Sequence, residues 1–589
     1  NSPPTTRVDP HHPPAPDRAR RYDTARYRGA VGRNWYDCDP TLQFLMRRHL
    51  GERGVAWATP HLRATGALMG GPIATRAEET DRRPPRLERY DRWGHDVGQV
   101  VLPASFTASR ADLVATSLSS PEFVAEATRA GVDPAPLGAA WTYLLDQAEI
   151  AMTCALGTGG DMVVRLAEAF APDDVKARVR ELFGAGEMGG EAAQAFTERT
   201  GGSDLGALET TARADGDAWR LDGVKWFVSN AQAGAFVALA RISGGADGVA
   251  GVAPFLVLAE RRDGSPNGIR IRRLKDKLGT RAVPSGEVEL VDAEGFLLAP
   301  GGGDGRDGDG AAGGTGLARM MQLTNGARLA IAMMGLGCAR RALVESLCYA
   351  RAREAFGAFL IDQPLVQAKL AELIVEVEAA QALVFDGYLG PRLRLAAPLA
   401  KLRAARLGIT AASDAIELHG GNGYIEDWPV ARILRDAQVN TVWEGPDNIL
   451  CLDLRRAIVR EQAHLPWLAR VEECLQAAAP EDEATAATVR AELGRAREAI
   501  SHWEGLAPRM AEARLYPLAQ FLADVQTAAL LLEQAGWERT HAGGTRKSLV
   551  ARLYVGRHLA APGPLRGLDG PAEDLERFAE LVAGAFVAT

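Results

Sequence analysis

The sequence has few cysteines, and none of them stands in a redox or metal-binding motif. Its 589 residues include six cysteines, with no CxxC pair and no Cys/His cluster at zinc spacing. This pattern predicts reduced thiols in a cytoplasmic protein, with neither a structural disulfide nor a metal site. Long apolar runs are also missing from the sequence pattern. No apolar run reaches the roughly 18–20 residues that are needed to span a bilayer, so no membrane association is expected.

Positive charge is not in excess either. The formal net charge is −8, which argues against general nucleic-acid binding. The first 33 residues are rich in Pro, His and Arg and lack the apolar segment of a secretory signal. We therefore predict that residues 1–38 form a disordered tail.

The remaining chain divides into segments of different pattern. Residues 39–185 and 317–456 repeat apolar residues at helical spacing, whereas 186–300 has short alternating runs broken by Asp-Gly and Gly-Asp. Residues 457–589 add further helices, and the glycine-rich stretch 300–316 is predicted to be a flexible loop. The fold class is therefore α+β and multidomain. The absence of βαβ alternation argues against a Rossmann fold.

Two segments of the predicted β-domain carry polar residues suited to ligand binding. In TERTGGSD, which begins at Thr197, glycines allow close approach of the backbone and the hydroxyl groups can donate hydrogen bonds. In KWFVSN, which ends at Asn230, a strand with two aromatic residues and Ser229 could form the wall of an aromatic cofactor's site. Taken alone, the first segment is better explained as a polar turn between strands and the second as a plain strand.

Two further segments lie in the predicted helical bundle. Arg353 stands three residues before Phe356-Gly357, where a helix is expected to end, and its side chain suits a bidentate contact to a diphosphate. The stretch from Glu417 to Asn448 combines three close glycines with Glu444, which is flanked by Trp and Gly. A carboxylate desolvated in this way becomes a stronger base. A solvated Arg and a structural Glu are the alternatives for each residue alone.

The order and spacing of these segments resemble the acyl-CoA dehydrogenase family. That family has the pattern TExxxGSD, Kxx(I/V)(S/T)N, RxxFG, (Q/E)xxGGxGY, RDA and (Y/W)EG. All six elements occur in this order between Thr197 and Gly445, and the resemblance covers at least residues 140–456. The chain is most similar to the AidB branch, the flavoproteins of the bacterial alkylation response. RLKDKLGTRAVPSGEVE, NTVWEGPDNILCLDLRR and the long C-terminal extension carry that similarity.

The resemblance implies a fold and a reaction. The fold is a helical N-terminal domain, a β-barrel-like middle domain and a helical-bundle C-terminal domain, here with a helical extension, assembled as a homotetramer or dimer. FAD lies between the β-domain and the bundle, and its adenine end reaches a neighbouring subunit. The implied reaction is α,β-dehydrogenation of an acyl-CoA or acyl-carrier-protein thioester. The β-hydride passes to flavin N5, and an electron acceptor such as an electron-transfer flavoprotein then reoxidises the flavin.

The resemblance also implies roles for individual residues. Glu444 matches the family's usual base, which removes the α-proton. Some family members place the base beside the residue that matches Arg328, but Ala327 stands there and cannot act as a base, so Glu444 is the only candidate that the motifs support. Ser203 and Arg328 are implied to contact the substrate. The positions implied to bind FAD are Thr197, Ser203, Ser229, Arg353, Gln363, Gln367, Glu417, Gly420, Gly421 and Asn448. Pro446, Asn448 and Leu450 depart from the usual family residues, which puts the flavin geometry in question more than flavin binding.

Two other functions remain open at this stage. The AidB likeness suggests a DNA-associated protective flavoprotein, for which the cluster Arg546, Lys547, Arg552 and Arg557 is the candidate phosphate-binding surface. We rank DNA binding lower because residues 456–589 are net acidic, and a solvated helix explains the cluster equally well. A flavin-dependent oxidase or monooxygenase on the same fold is the other alternative. The sequence does not identify the acyl chain or the electron acceptor.

Overall fold

The architecture is that of a computed structural model of the chain. The structure describes residues 27–158, 160–184, 190–299 and 312–588, apart from residues 562, 564, 566, 567 and 569, and for residues 312–324 it describes the backbone alone.

The N-terminal region is a helical unit with one hairpin. Its elements are α1 (Pro40–Leu68), a π-helical turn (Met69–Ile73), α2 (Ala74–Arg82), β1 (Arg86–Tyr90), β2 (Asp96–Val101), α3 (Ala104–Ala115), α4 (Pro121–Arg129), α5 (Ala135–Ala148), α6 (Ile150–Gly157), α7 (Gly160–Phe170) and α8 (Asp173–Leu182). Helix α1 begins after Asp39, whose carboxylate accepts from the Leu42 amide at 2.9 Å and caps the first turn. The antiparallel pair β1–β2 was not predicted within this helical segment.

The predicted disordered tail is wrong for residues 27–38, while residues 1–26 lie outside the described part of the chain. Trp35, Tyr36 and Cys38 are buried in the helical core. The segment is tied to the bundle by Glu345, which accepts hydrogen bonds from the Tyr27 hydroxyl and the Ala30 amide, each at 3.2 Å. Burial of these apolar rings outweighs the polar composition that suggested disorder.

The middle region is a β-domain. Its strands are β3 (Ala192–Ala195), β4 (Thr211–Asp215), β5 (Ala218–Ser229), β6 (Ala235–Ile242), β7 (Val252–Leu258), β8 (Ile269–Leu274) and β9 (Ser285–Leu297). Strands β6, β4, β5, β9 and β7 pair in that order, and β7 pairs back to β6, so the sheet closes into a small barrel. β3 adds to β6 and β8 adds to β9 outside this ring.

Long helices form the bundle that follows. They are α9 (Ala312–Ala352), the short strands β10 (Glu354–Ala355) and β11 (Ala358–Phe359), α10 (Pro364–Leu389), α11 (Ala396–His419), α12 (Pro429–Ala437) and α13 (Asp447–Glu461). Helix α9 therefore begins at Ala312, inside the stretch predicted to be a loop, while residues 300–311 lie outside the description. Helices α9 and α11 pack backbone to backbone, since a Cβ on Gly335 would lie 2.5 Å from the Ala404 carbonyl. Arg328 lies about two turns before this crossing on α9, and Lys401 lies less than one turn before it on α11.

The C-terminal extension is helical and packs on the bundle. Its helices are α14 (His464–Gln476), α15 (Glu483–Glu504), α16 (Pro508–Ala513), α17 (Leu515–Ala542), α18 (Arg546–His558), α19 (Glu573–Glu576) and α20 (Phe578–Ala585). Arg546 and Lys547 join it to α10 through the buried carboxylate of Glu378, at 2.8 and 2.5 Å.

Two stretches, Ile150–Phe170 and Leu515–Ala542, are long and apolar enough to cross a membrane by length and composition, so the expectation of no such run is wrong. The first includes residue 159, which the structure does not describe. In their most apolar windows, 65% and 72% of the residues are buried inside the fold. Core helices have the same length and hydropathy, and these two stretches are therefore weak evidence for a membrane protein.

Candidate active site

The predicted base lies in a tight turn that connects a 3₁₀ turn, Gln438–Thr441, to helix α13. Glu444 has a φ angle of 54° and Gly445 one of 96°. A left-handed backbone suits glycine but costs a glutamate of the order of 1–3 kcal/mol, so surrounding contacts must hold it.

Two buried cationic side chains donate hydrogen bonds to the backbone carbonyl groups of this turn. The Lys401 ammonium donates to the carbonyl oxygens of Trp443 and Gly445, on either side of the base. The Arg328 Nε donates to the carbonyl oxygen of Glu444 itself at 3.2 Å. Three successive carbonyl groups are thus fixed by side chains from two helices, α9 and α11.

Arg328 is itself fixed by a network of polar groups. Its Nη1 donates to the Asp453 carboxylate at 2.7 Å and to the Asn325 side chain at 3.1 Å. Arg394 also binds Asp453, with contacts of 2.5 and 3.0 Å. Burial alone would raise the pKa of Asp453, but these two guanidinium groups outweigh it and lower that pKa. Asp453 therefore stays ionised and anchors both arginines.

The electrostatics of the turn favour a strong base. Removal from water raises the pKa of Glu444 above its usual value, and the positive charges of Lys401 and Arg328 offset only part of this increase. Burial also lowers the pKa of Lys401 to about 8, against the opposing effect of Glu444. A carboxyl group of raised pKa beside two cations can take up a proton that a normal glutamate would leave in place.

Ser229 lies at the end of β5 and is linked to Glu444 through a common neighbour. The two residues share Cys154 as a neighbour: burial raises the pKa of the Cys154 thiol, Glu444 adds to the increase, and Ser229 and Lys277 oppose it. The Ser229 hydroxyl is also 3.5 Å from that of Ser285, which accepts from Lys277 at 3.2 Å. Cys154 was not singled out by the sequence, because a lone cysteine in an apolar helix carries no local signal.

Thr197 is held beside β5 by a buried ion pair. Its carbonyl oxygen accepts from the Trp226 amide at 2.8 Å. The next residue, Glu198, is buried and binds the Lys225 ammonium at 2.5 Å. The Glu and Lys of the two sequence motifs are therefore structural, and they align the loop and strand that carry Thr197 and Ser229.

Ser203 lies on the exposed side of the same loop. The aromatic ring of Trp226 is covered by cations rather than turned toward Ser229: the Lys275 Nζ lies 3.2 Å from the ring centroid, and Arg199 and Arg273 lie at 5.6 and 5.9 Å.

A second group of predicted residues is exposed at the far end of helix α9. Arg353 follows the last residue of the helix, and the hairpin after it presents Phe356 fully to solvent. Gly420 and Gly421 lie at the same end, because Asn422 donates to the Tyr349 hydroxyl at 3.1 Å. An added Cβ at either of these two glycines would meet open space.

The remaining predicted positions divide between the two ends. Gln363 donates to the Ala355 carbonyl at 3.2 Å and so belongs with the Arg353 hairpin. Gln367 is half-buried one turn further along α10, and Glu417 is exposed in the last turn of α11. Asn448 is exposed in the first turn of α13, close in sequence to Glu444.

The RDA element has a structural role in this fold. The Asp436 carboxylate accepts from the Thr280 amide at 2.6 Å and from Arg432 at 2.9 Å. A Cβ on Gly279 would lie 2.3 Å from the Arg435 carbonyl, so only glycine fits there. This contact joins the β-domain to the bundle.

Comparison with known proteins identifies the family of the chain. The acyl-CoA dehydrogenase C-terminal domain matches residues 314–459, and the acyl-CoA dehydrogenase middle domain matches residues 193–293. The N-terminal domain of the adaptive response protein AidB matches residues 28–174. Acyl-CoA dehydrogenase family member 11 of Caenorhabditis elegans is 30% identical over 487 residues, which is 77% of this chain and 76% of that protein. The chain belongs to the acyl-CoA dehydrogenase family.

Further similarity places the chain in the AidB-like branch of that family. Putative acyl-CoA dehydrogenase AidB of Escherichia coli (strain K12) is 34% identical over 277 residues, 45% of this chain and 48% of that protein. The crystal structure of C. elegans ACDH-11 in complex with C11-CoA superposes with a TM-score of 0.81 at 26% identity, covering 91% of this chain and 93% of that one. As a member of this family, the chain is a flavin-dependent oxidoreductase.

Proposed function

We propose that the protein catalyses FAD-dependent α,β-dehydrogenation of an acyl thioester, with Glu444 as the base that removes the α-proton. The observation that carries this proposal is the Glu444 turn. Lys401 and Arg328 hold the backbone of this turn, burial raises the pKa of the Glu444 carboxyl group, and Cys154 is a neighbour of both Glu444 and Ser229. This is the arrangement that proton abstraction beside a carbonyl group requires.

Two residues of the β-domain, Thr197 and Ser229, suit the flavin end of FAD. The Thr197 and Ser229 side chains offer hydroxyl groups that can donate to ring heteroatoms. Both are carried on backbone fixed by the Glu198–Lys225 ion pair. FAD, when bound, accepts the two electrons that leave the substrate.

The distant residues fit the ADP end of the cofactor, but in another subunit. Arg353 follows Arg328 by 25 residues along α9, a separation of ~37 Å at 1.5 Å per residue. Arg353 and Glu444 of one chain are therefore too far apart to bound a single flavin site. We propose that a second copy supplies Arg353, Gly420 and Gly421, so that the assembly is a homodimer or a homotetramer built from such dimers.

The residues of this chain orient the base and accept the α-proton of the substrate. Glu444 accepts the α-proton, and Arg328 and Lys401 hold the backbone that orients it. The substrate class is an acyl-CoA, supported by the C11-CoA bound to ACDH-11, and the acceptor is an electron-transfer flavoprotein or a similar carrier. We further propose a cytoplasmic location, which fits the six free cysteines.

The alternative of DNA association receives less support. The four cationic side chains that suggested a phosphate-binding surface each form an ion pair with a carboxylate of the same chain. Arg546 and Lys547 pair with Glu378, Arg552 pairs with Glu573, and Arg557 pairs with Glu372. A cation neutralised within the protein contributes little to a phosphate contact.

The test is anaerobic reduction of the bound flavin. The purified holoenzyme is mixed with straight-chain, branched and alicyclic acyl-CoAs, and absorbance is followed near ~450 nm, the flavin maximum. We expect at least one thioester to bleach the band in the wild type, Glu444→Gln to abolish bleaching, and Glu504→Gln, an exposed control, to retain it. A yellow wild-type protein that no thioester reduces would overturn the proposal.

A further inference from the structure

The turn that carries Glu444 depends on a lysine 43 residues earlier in the sequence. Lys401 is buried in α11, with 1% of its surface exposed, and donates to the carbonyl groups immediately before and after the base. Arg328 contacts the carbonyl of the base, but it is also bound by Asp453 and Asn325. The two hydrogen bonds described for Lys401 both go to this turn.

A compact ammonium group suits this position. Its three donors can serve two carbonyl groups that point to one place, whereas a planar guanidinium presents its donors in a fixed fork. Because Glu444 has a left-handed backbone, loss of these contacts would let the residue relax toward an ordinary φ and redirect its side chain.

Among the described residues, few charged groups lie around Glu444 and Lys401. Glu444 faces Lys401 from α11, Arg328 from α9 and Cys154 from α6. Lys401 in turn faces Glu444, Arg328 and Asp447. Arg328 is compensated by Asp453, so Lys401 is the cation whose charge acts most directly on the base.

We propose that Lys401 is a positioning residue for the dehydrogenation: it fixes the backbone on both sides of Glu444, and its positive charge favours the carboxylate form of that side chain. The inference rests on the proposed function, because it assigns Lys401 a part in the reaction that Glu444 carries out. Lys401 acts through Glu444 and is not itself the base.

The test compares Lys401→Met, Lys401→Gln and Lys401→Arg holoenzymes. Removal of the positive charge should move the acid limb of flavin reduction by an acyl-CoA to higher pH. Misplacement of the base should lower the maximal rate constant by about 100-fold. Lys401→Arg keeps the charge, so it should lower the rate while leaving the acid limb where it is. If Lys401→Met fails to fold, Lys401→Gln, whose uncharged amide group still donates hydrogen bonds, gives the same readout.

The matched control is Lys547→Met. Lys547 is another buried lysine. It lies in the C-terminal extension, 2.5 Å from the carboxylate of Glu378 in α10. Its replacement should lower the melting temperature without moving the acid limb. An unchanged acid limb in both uncharged Lys401 variants would show that Lys401 is only structural and would overturn the inference.

A second readout does not depend on turnover. The infrared band of a protonated carboxyl group that disappears in Glu444→Gln reports the titration of Glu444. In Lys401→Met this band should persist to higher pH than in the wild type. If no acyl-CoA reduces the wild-type flavin, the proposed function fails while this titration still decides whether Lys401 controls the base. Identical titration in the two proteins would refute that control.

Discussion

The Lys225 ammonium lies 2.5 Å from the Glu198 carboxylate, and both side chains are almost completely shielded from water. Glu198 also accepts hydrogen bonds from the amide groups of Glu209 and Thr210, while Lys225 donates to the Leu239 carbonyl. Burial alone would raise the pKa of Glu198, but Lys225 and the hydrogen bonds lower it overall. This ion pair connects the loop of Thr197 to the strand of Ser229.

We predict that Lys225→Met destabilises the protein by about 3–5 kcal/mol, because it leaves a buried carboxylate without a partner. The Thr197 loop should loosen as well, so the purified variant should contain less FAD. Urea unfolding and the ratio of flavin to protein absorbance measure the two effects. The double variant Lys225→Met/Glu198→Gln should recover part of the lost stability, and a double variant no better than the single one would contradict the ion-pair explanation.

Whereas the Glu198–Lys225 ion pair stabilises the fold, the ionised Glu444 carboxylate destabilises it. Its pKa is raised in the folded protein, so folding becomes less favourable as the pH rises through the interval between its unfolded value, about 4.3, and the folded one. We predict that Glu444→Gln melts at a higher temperature than the wild type at neutral pH, and that the difference disappears in acid. Glu504→Gln serves as the control, and a Glu444→Gln variant that melts lower at pH 8 would contradict the prediction.

The same shift sets the pH dependence of the reaction. Glu444 must be ionised to accept the α-proton, so the rate of flavin reduction should fall as the pH drops through its raised pKa. We expect the acid limb to lie above the range of an ordinary glutamate. Stopped-flow reduction at saturating thioester measures it, and a rate that stays constant down to pH 4 would exclude Glu444 as the base.

Local sequence patterns predicted much of this organisation but not the interactions between distant segments. The hairpin signals located the β-domain, and glycine at 420 ends α11 where the pattern placed it. Lys401 was missed because its importance comes from burial under a turn 43 residues away, and AAPLAKLRAARLG shows only helical spacing. The burial of residues 27–38 was missed for the same reason, since it depends on Glu345, more than 300 residues away.

The proposed division of the site between two subunits gives the most direct prediction. If Arg353 serves the cofactor of a neighbouring chain, Glu444→Gln and Arg353→Ala homo-oligomers should both be impaired, the first in catalysis and the second in FAD binding. Co-expression with two affinity tags yields mixed dimers in which one site carries both substitutions and the other carries neither. Such dimers should regain about half of the wild-type activity per dimer.

The control for this experiment combines Glu444→Gln with Lys401→Met. These two residues belong to the same part of the site, so every site of the mixed dimer keeps one of the substitutions, and activity should stay low. Recovery in the Arg353 pair together with none in the Lys401 pair would show that the active site is completed by a second copy. Failure of the Arg353 pair to recover would contradict the proposal that Arg353 completes the site of a second copy.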